Sequence, residues 1–541
     1  MRVYLILIAI AGFGLDLGRC QAQPNATTAP KPGTDLIARV HFIGGAQVLA
    51  DPNSARLKQI ANLPVSGELR EQTLQKLATA PFRYLQAKVP DKTTDNAALI
   101  RPLWEDLLRA EFYLEMRGPA NPVPETLLAV RLDNARAELW SRNLSAVMTS
   151  WTAIPVKDIS ANGFKGWEVK KHHDPDTIRF IRAGDWVLFG WGRTDLLLQP
   201  GMLERIKSQG RPVAQAGNYW LDAWLDLASL TRKHPLPVSF SLPKTHVTVT
   251  SARDFVRTKI TMEFPQPLNF KLDPWRIPTN LIHDPLISFS ATRGINPWLE
   301  QFKTWQEIKV NPMPGQFYLW SLANAPFETS FAAPVQNSRK FMEQFGPRCL
   351  SLINSNIQGR SIGEVKWTTN HDAIVWSGLI PVVAPFVRAV PGTNGAGDFL
   401  AGGLFAGAGP RRTPPPTELL NQVLAHKDTV YYGWEITQER VSQWNSISSV
   451  YWVMHGDQLG SENAAGFKWI ETVKTNLSNC GTTISLTAPN ELTLVRNSSI
   501  GFNGLELTML RRWFDAANFP LDARYERPKR PPGLVKPPPA K

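Results

Sequence analysis

The sequence predicts an α+β fold, with repeated strand–helix and antiparallel-meander units and sheets covered on one face by helices. Three observations predict it. Some runs alternate apolar and polar residues with a period of two, as in half-buried strands. Others repeat apolar residues with the helical period. The two kinds of run take turns along the chain, and the strands come mostly as hairpins, which favours antiparallel sheets.

The N-terminus is read first. Met1-Arg2 carries a positive charge, and Val3 to Leu15 is then a run of 13 residues without a charge, ended by Asp16. A membrane span needs about 20 apolar residues, so the run is too short to cross and fits the core of a signal peptide. Small residues around Cys20-Gln21-Ala22 place a cut after Ala22, giving a signal peptide over 1–22. Two alternatives stand beside it. Leu17-Gly18-Arg19-Cys20 resembles a bacterial lipobox, with Arg19 in the place of a small residue, and would anchor lipid at Cys20. The other is an uncleaved anchor. The expected location is the periplasm or the extracellular space, with no transmembrane span in the mature chain.

Residues 23–34 are a linker rich in Pro and Thr. A strand–helix block then appears four times: at Leu36–Ile43, at Tyr219–Leu225 before Ala228–Arg232, at Leu286–Ser290 before Pro297–Ile308, and at Val430–Ile436 before Gln438–Trp444. A meander appears four times as well, at Trp167–Trp191, His246–Phe264, Val365–Leu379 and Thr482–Met509. In the second meander Val256, Thr258, Ile260, Met262 and Phe264 share one side of a strand. Trp140, Leu144, Val147 and Trp151 form one helical stripe behind Asp133, a good N-cap. Asn296-Pro297 supplies a cap and a first-turn proline ahead of Trp298, Phe302 and Trp305. Thr437 can cap the last of the four helices, with Ile436 and Val441 as a staple.

This order divides the chain. Residues 35–280 hold two units, 281–390 a third and 418–522 a fourth. Residues 391–417, rich in Gly, Ala and Pro, read as a linker or long loop. Residues 523–541 read as a basic, Pro-rich disordered tail.

Composition bounds the function. A chain of 541 residues with 43% hydrophobic and 19% charged residues is neither disordered nor disulfide-stapled. The net charge of +13 is concentrated partly in the tail, and no nucleic-acid-binding pattern accompanies it. Cleavage would leave Cys349 and Cys480. Export permits a disulfide between them, but nothing in the sequence brings them together.

Ile178–Leu198 reads as a strand, an Ala-Gly-Asp turn, a strand ending in Gly-Trp-Gly, and a Leu-Leu-Leu run. This resembles the hairpin-then-helix signature of exported bacterial proteins of unknown function of the DUF3352 type. The wider pattern, including Asp428–Trp444, is similar to uncharacterised exported proteins of the verrucomicrobial kind. The resemblance implies export and brings no activity, ligand or site residue. The segment between Gly359 and Thr417 has no counterpart in it.

Three motifs suggest chemistry. Thr393 to Asp398 (TNGAGD) is similar to the ribokinase-type signature, in which backbone amides neutralise phosphate charge and the aspartate, here Asp398, deprotonates a hydroxyl. Gly392 replaces the polar residue that opens that signature, and hairpins precede it rather than strand–helix–strand alternation. Gly359-Arg360-Ser361-Ile362-Gly363 fits the nucleophile elbow, but a strand follows where the elbow needs a helix. His172-His173-Asp174-Pro175-Asp176 reads as a polar hairpin tip, since adjacent strand residues face opposite ways. No catalytic residue, cofactor site or metal ligand is assigned.

The 19 tryptophans are the clearest excess. Those on helix stripes belong to cores. Trp191, Trp220 and Trp224 are the candidates for a ligand surface, because an exposed indole stacks on sugars or partner surfaces. The expected function is an exported, non-catalytic binding or scaffold protein of the cell envelope, partnered by an envelope protein or glycan. The alternative is a glycan-binding or glycan-active protein using exposed tryptophans. An enzyme built on Asp398 or Ser361 is the third reading.

Overall fold

The computed structural model describes residues 36–520 except 87–95, 119–123, 162, 171–175, 194–197, 214–216, 232–240, 309–311, 324–327, 358–362, 379–382, 393–396, 406–413, 415, 426 and 455–463. The signal, linker and tail readings, the His172–Pro175 tip and Ser361 lie outside the described residues.

The first strand, β1 (Leu36–Phe42), buries Ala38 and Val40 and leaves Arg39 and His41 half-buried, which is the period of two. Gly44 ends it with φ 96°, and a Cβ there would lie 2.6 Å from the Arg109 carbonyl oxygen, so only glycine fits the turn. Four helices follow: α1 (Gly45–Ala50), α2 (Ala55–Ala61), α3 (Pro64–Gln86) and α4 (Ala97–Arg109). Next come β2 (Phe112–Arg117), β3 (Glu125–Arg131) and α5 (Asn134–Thr152). Asp133 caps α5 as expected, accepting from the Arg136 amide at 2.8 Å. The meander β4 (Lys157–Ala161), β5 (Phe164–Lys170), β6 (Asp176–Ala183) and β7 (Trp186–Arg193) leads to α6 (Leu198–Gln209). Then β8 (Leu221–Asp226), α7 (Leu227–Thr231), β9 (Lys244–Ala252) and β10 (Phe255–Glu263) close this part.

After an extended segment over 264–285 the order begins again. It runs β11 (Leu286–Arg293), α8 (Asn296–Leu299), α9 (Lys303–Ile308), β12 (Gln316–Leu322), β13 (Thr329–Pro334) and α10 (Ser338–Ile357). It continues with β14 (Glu364–Trp367), β15 (Ala373–Ser377), β16 (Phe386–Val390), β17 (Phe399–Gly403) and α11 (Thr417–Leu424). It ends with β18 (Thr429–Glu435), α12 (Thr437–Met454), α13 (Ala465–Val473), β19 (Cys480–Ala488), β20 (Glu491–Ser498) and α14 (Gly504–Asp515).

Three expectations change here. The helix expected over Pro297–Ile308 is two short helices, because the Gln301 and Phe302 amides bond three residues back and break the α ladder. The last meander stops at Ser498. Residues 504–509 are helical, started by a capping box between Asn503 and Glu506. The 391–417 segment is not simply a linker, since β17 within it pairs with both β13 and β16.

All twenty strands join one sheet by antiparallel pairing. From one edge the order is β4, β5, β6, β7, β3, β2, β1, β8, β9, β10; β10 then pairs with β20, and the order continues β19, β18, β11, β12, β13, β17, β16, β15, β14. Read from either edge, the connectivity is the same. Each strand of the first half has a counterpart ten places later, so the corresponding unit is twice as long as the one expected from the sequence.

The register fixes the correspondence residue by residue. Val40 lies opposite Leu114 and Ala223, while Ser290 lies opposite Leu319 and Gly433. Matching Val40 to Ser290 therefore matches Phe112-Tyr113-Leu114 to Phe317-Tyr318-Leu319, and Trp224 to Trp434. It also matches Gly44 to Gly294, which ends β11 with φ 74°. At the centre Val256 pairs with Ser498 and Met262 with Leu492, which places a pseudo-twofold axis at the Lys259–Val495 pair.

Helices occupy both faces of the sheet, not one. On β3, Leu128 and Val130 pack with Trp140, Leu144 and Val147 of α5. The intervening Leu127 and Ala129 point the other way and pack with Met202, Leu203 and Ile206 of α6. Among the described residues, no helix is long and apolar enough to cross a membrane. Cys349, half-buried on α10, and Cys480, buried on β19, are free thiols.

Candidate functional site

The two halves differ most where β1, β2 and β8 meet their counterparts. On one face of the first half, Ala38, Val40, Leu114, Ala223 and Leu225 lie in the core with Phe82, Ile100, Leu103 and Trp140 of α3, α4 and α5. The matching positions of the second half are Ser288, Ser290, Leu319, Gly433 and Glu435. Here the 23-residue α3 and 13-residue α4 are replaced by α8 and α9, of four and six residues. Among the described residues the two long roof helices have no equivalent here, α12 covers one end of the floor through Arg440 and Gln443, and the floor has turned polar. Leu319 is 45% exposed.

The opposite face shows the reverse. Arg39, His41, Glu115, Asp222 and Trp224 in the first half correspond to Phe289, Ala291, Trp320, Tyr432 and Trp434. These apolar residues are covered by Trp275, Ile277, Leu281 and Ile282 of the connecting segment and by Leu419 and Val423 of α11.

The half-covered floor forms a cleft of about 80 Å³, walled by Arg440 of α12 and by Asn503 at the start of α14. Gly433 makes room for the Tyr431 phenol, since a Cβ there would fall 2.5 Å from its Oη. The Ser288 and Ser290 hydroxyls have no hydrogen-bond partner among the described residues. At the end of β18, the Gly504 amide donates to Glu435 Oε1 at 2.6 Å. Burial holds the Glu435 carboxyl above its ordinary range, against the opposing pull of that amide and of Arg440.

Arg440 Nη1 donates to Ser321 Oγ at 3.0 Å and to Gln443 Oε1 at 2.6 Å, both neutral acceptors. Its guanidinium lies 5.1 Å from the Trp444 ring centroid. Its Nε is buried without a partner, and it makes no ion pair with a carboxylate among the described residues. Arg496 is engaged, with Nη1 on Glu506 Oε2 at 2.6 Å and Nε on Thr482 Oγ1 at 3.0 Å. Burial pushes the Tyr431 phenol and the Cys480 thiol each up to about 12, with the Glu435 charge adding to both. The thiol is therefore protonated at neutral pH and is not a nucleophile.

The sequence candidates fall elsewhere. Trp191 and Trp220 are 9% and 6% exposed, so they form no open row. Trp220 packs with Val48 and Val256 and donates from Nε1 to Asp51 Oδ2 at 2.9 Å. Trp224 is half-buried with Lys244 6.0 Å from its ring centroid, on the far face from the cleft. Val48 of α1 and Leu57 of α2 enclose the Trp220 ring.

Asp398 does sit at a helix start, but the sheet is antiparallel and the carboxylate is occupied. Oδ2 accepts from the Ser338 amide at 2.8 Å and from its hydroxyl at 3.0 Å, and Oδ1 accepts from the Gly392 amide at 2.9 Å. Gly184-Asp185, at the β6–β7 turn, is the counterpart of Gly397-Asp398. Of the motif, Thr393 to Ala396 lie outside the described residues. Among the described residues no group of three or more His, Cys, Asp or Glu could hold a metal ion.

Glu435, Arg440 and the two serines carry no motif. Only alignment of the halves reveals them, as polar residues at positions that are apolar in the matching strands. No family model matches the chain, and no curated protein or solved structure matches it.

Proposed function

We propose that the chain is an exported, non-catalytic binding or scaffold protein of the cell envelope, built by duplication of a ten-stranded α+β unit. One copy keeps its helical roof and serves as scaffold. The other has a reduced roof and uses the half-covered cleft to bind. The observation that carries this reading is the exchange of Ala38, Val40, Ala223 and Leu225 for Ser288, Ser290, Gly433 and Glu435. Polar groups left in a concave, half-enclosed place characterise ligand sites. A glycan remains a candidate partner, but its contacts would be cleft hydroxyls, since Trp191 and Trp220 are packed inside.

Cell fractionation with N-terminal sequencing of the mature protein tests export. A cytoplasmic, uncleaved chain contradicts it. Thermal-shift screening against envelope saccharides, amino sugars, peptides and organic acids tests binding. The expected result is a ligand that raises Tm in the parent and not in Ser290→Val, which installs the first-half residue. If every stabilising ligand acts equally on both proteins, the cleft is not the site.

A further inference from the structure

Resting on that reading, we propose that the cleft takes the carboxylate end of a small hydroxylated acid, with the carboxylate on Arg440 and an adjacent hydroxyl on Ser288 and Ser290. Arg440 is the basis for the charge. Its hydrogen-bond partners, Ser321 and Gln443, are neutral, and among the described residues no carboxylate lies within ion-pair distance, Glu435 acting on it only at longer range. Its buried Nε has no acceptor. A guanidinium with one edge held by neutral acceptors and another edge free suits a planar carboxylate. The nearby Arg496 does not compete, because Glu506 already pairs with it.

The serines are the basis for the hydroxyl. On β11 they replace the Ala38 and Val40 of the matching strand, and each offers both a donor and an acceptor to the cleft. The volume of about 80 Å³ admits the end of a molecule rather than a polymer chain. Two sources share this chemistry: a free hydroxy acid and the acid end of a uronic sugar.

Calorimetry on the full mature chain separates them, using D-glycerate, D-glucuronate and, as a neutral control, D-glucose. Binding of glycerate and glucuronate alike identifies the acid end as sufficient. Binding of glucuronate alone shows that the sugar ring is also read. In either case Ser290→Val is expected to weaken binding about tenfold or more, equivalent to 1.4 kcal/mol. Arg440→Lys keeps the charge, loses the fork and is expected to weaken binding as well. Circular dichroism and Tm confirm that both variants fold. Glucose binding as tightly as glucuronate overturns the acidic assignment and leaves the binding reading intact. No response to any of the three probes overturns the assignment, while the wider ligand screen still tests the binding reading separately.

Discussion

Asp185 and Asp398 hold the same place in the two halves: the carbonyl of Asp185 accepts from the Leu132 amide at 2.8 Å, and that of Asp398 accepts from the Val335 amide at 2.9 Å. Each bond ties the residue just before β7 or β17 to the residue just after the neighbouring strand. The side chains have diverged. Asp185 reaches Arg131 at 3.9 Å, whereas Asp398 caps α10. The matched backbone bonds give Gly-Asp the same structural place in both halves.

Asp398→Ala removes the acceptor for the Ser338 and Gly392 amides. The loss of a cap is expected to cost about 1–2 kcal/mol in urea unfolding. Hydrogen bonds from those amides hold the Asp398 carboxyl below its ordinary value. Its contribution is therefore present above the ordinary aspartate value and lost as pH falls through the lower folded value. A variant as stable as the parent at neutral pH would contradict the capping role.

Glu435 has the opposite sign. Burial raises its carboxyl, so the folded chain holds the proton more tightly than the unfolded chain. Its stabilising effect is full below the unfolded value and fades as pH rises through the folded one. Glu435→Gln keeps an acceptor for the Gly504 amide and cannot ionise. Its Tm is expected to match the parent at about pH 4 and exceed it at about pH 8. A variant less stable than the parent at the higher pH would show that the carboxylate itself is stabilising.

Packing has also shifted between the halves. Leu128 lies opposite Phe189, while the matching pair is Phe331 opposite Gly402. A Cβ on Gly402 would fall 2.4 Å from both the Phe331 ring and the Phe386 carbonyl oxygen, so only the first clash can be relieved by a smaller side chain. Gly402→Ala is expected to cost about 1–3 kcal/mol by overpacking. Adding Phe331→Leu should recover part of that cost, which a double-mutant cycle measures. Additive costs would mean that the ring and the glycine are not coupled.

Trp220→Phe removes the bond from Nε1 to Asp51 and keeps a ring in the core. The expected loss is about 1.5–3 kcal/mol of folding stability, the range for hydrogen bonds to charged groups. Ligand binding should be unchanged. A fully stable variant that loses glycan binding would restore Trp220 as a contact residue.

Mixed helices and antiparallel strands were legible because they rest on local period, as in Val256 to Phe264, and on local caps such as Asp133. What covers each face was not. The alternation of Leu127 with Leu128 looks like a continuous apolar run until α5 and α6 are seen on opposite sides. The cleft was hidden differently. Ser288, Gly433 and Arg440 come together only through pairing of β11 with β18 and the return of α12, contacts that local pattern does not encode.

The two halves of the sheet join where β10 pairs with β20 about Lys259 and Val495. With Cys349 and Cys480 replaced by serine in the mature chain, Lys259→Cys and Val495→Cys should form a disulfide on mild oxidation, seen by mass spectrometry as one linked peptide. Lys259→Cys with Leu494→Cys puts the thiols on opposite faces and should remain unlinked. Equal linkage in both pairs, or none in the first, would contradict the single two-half sheet.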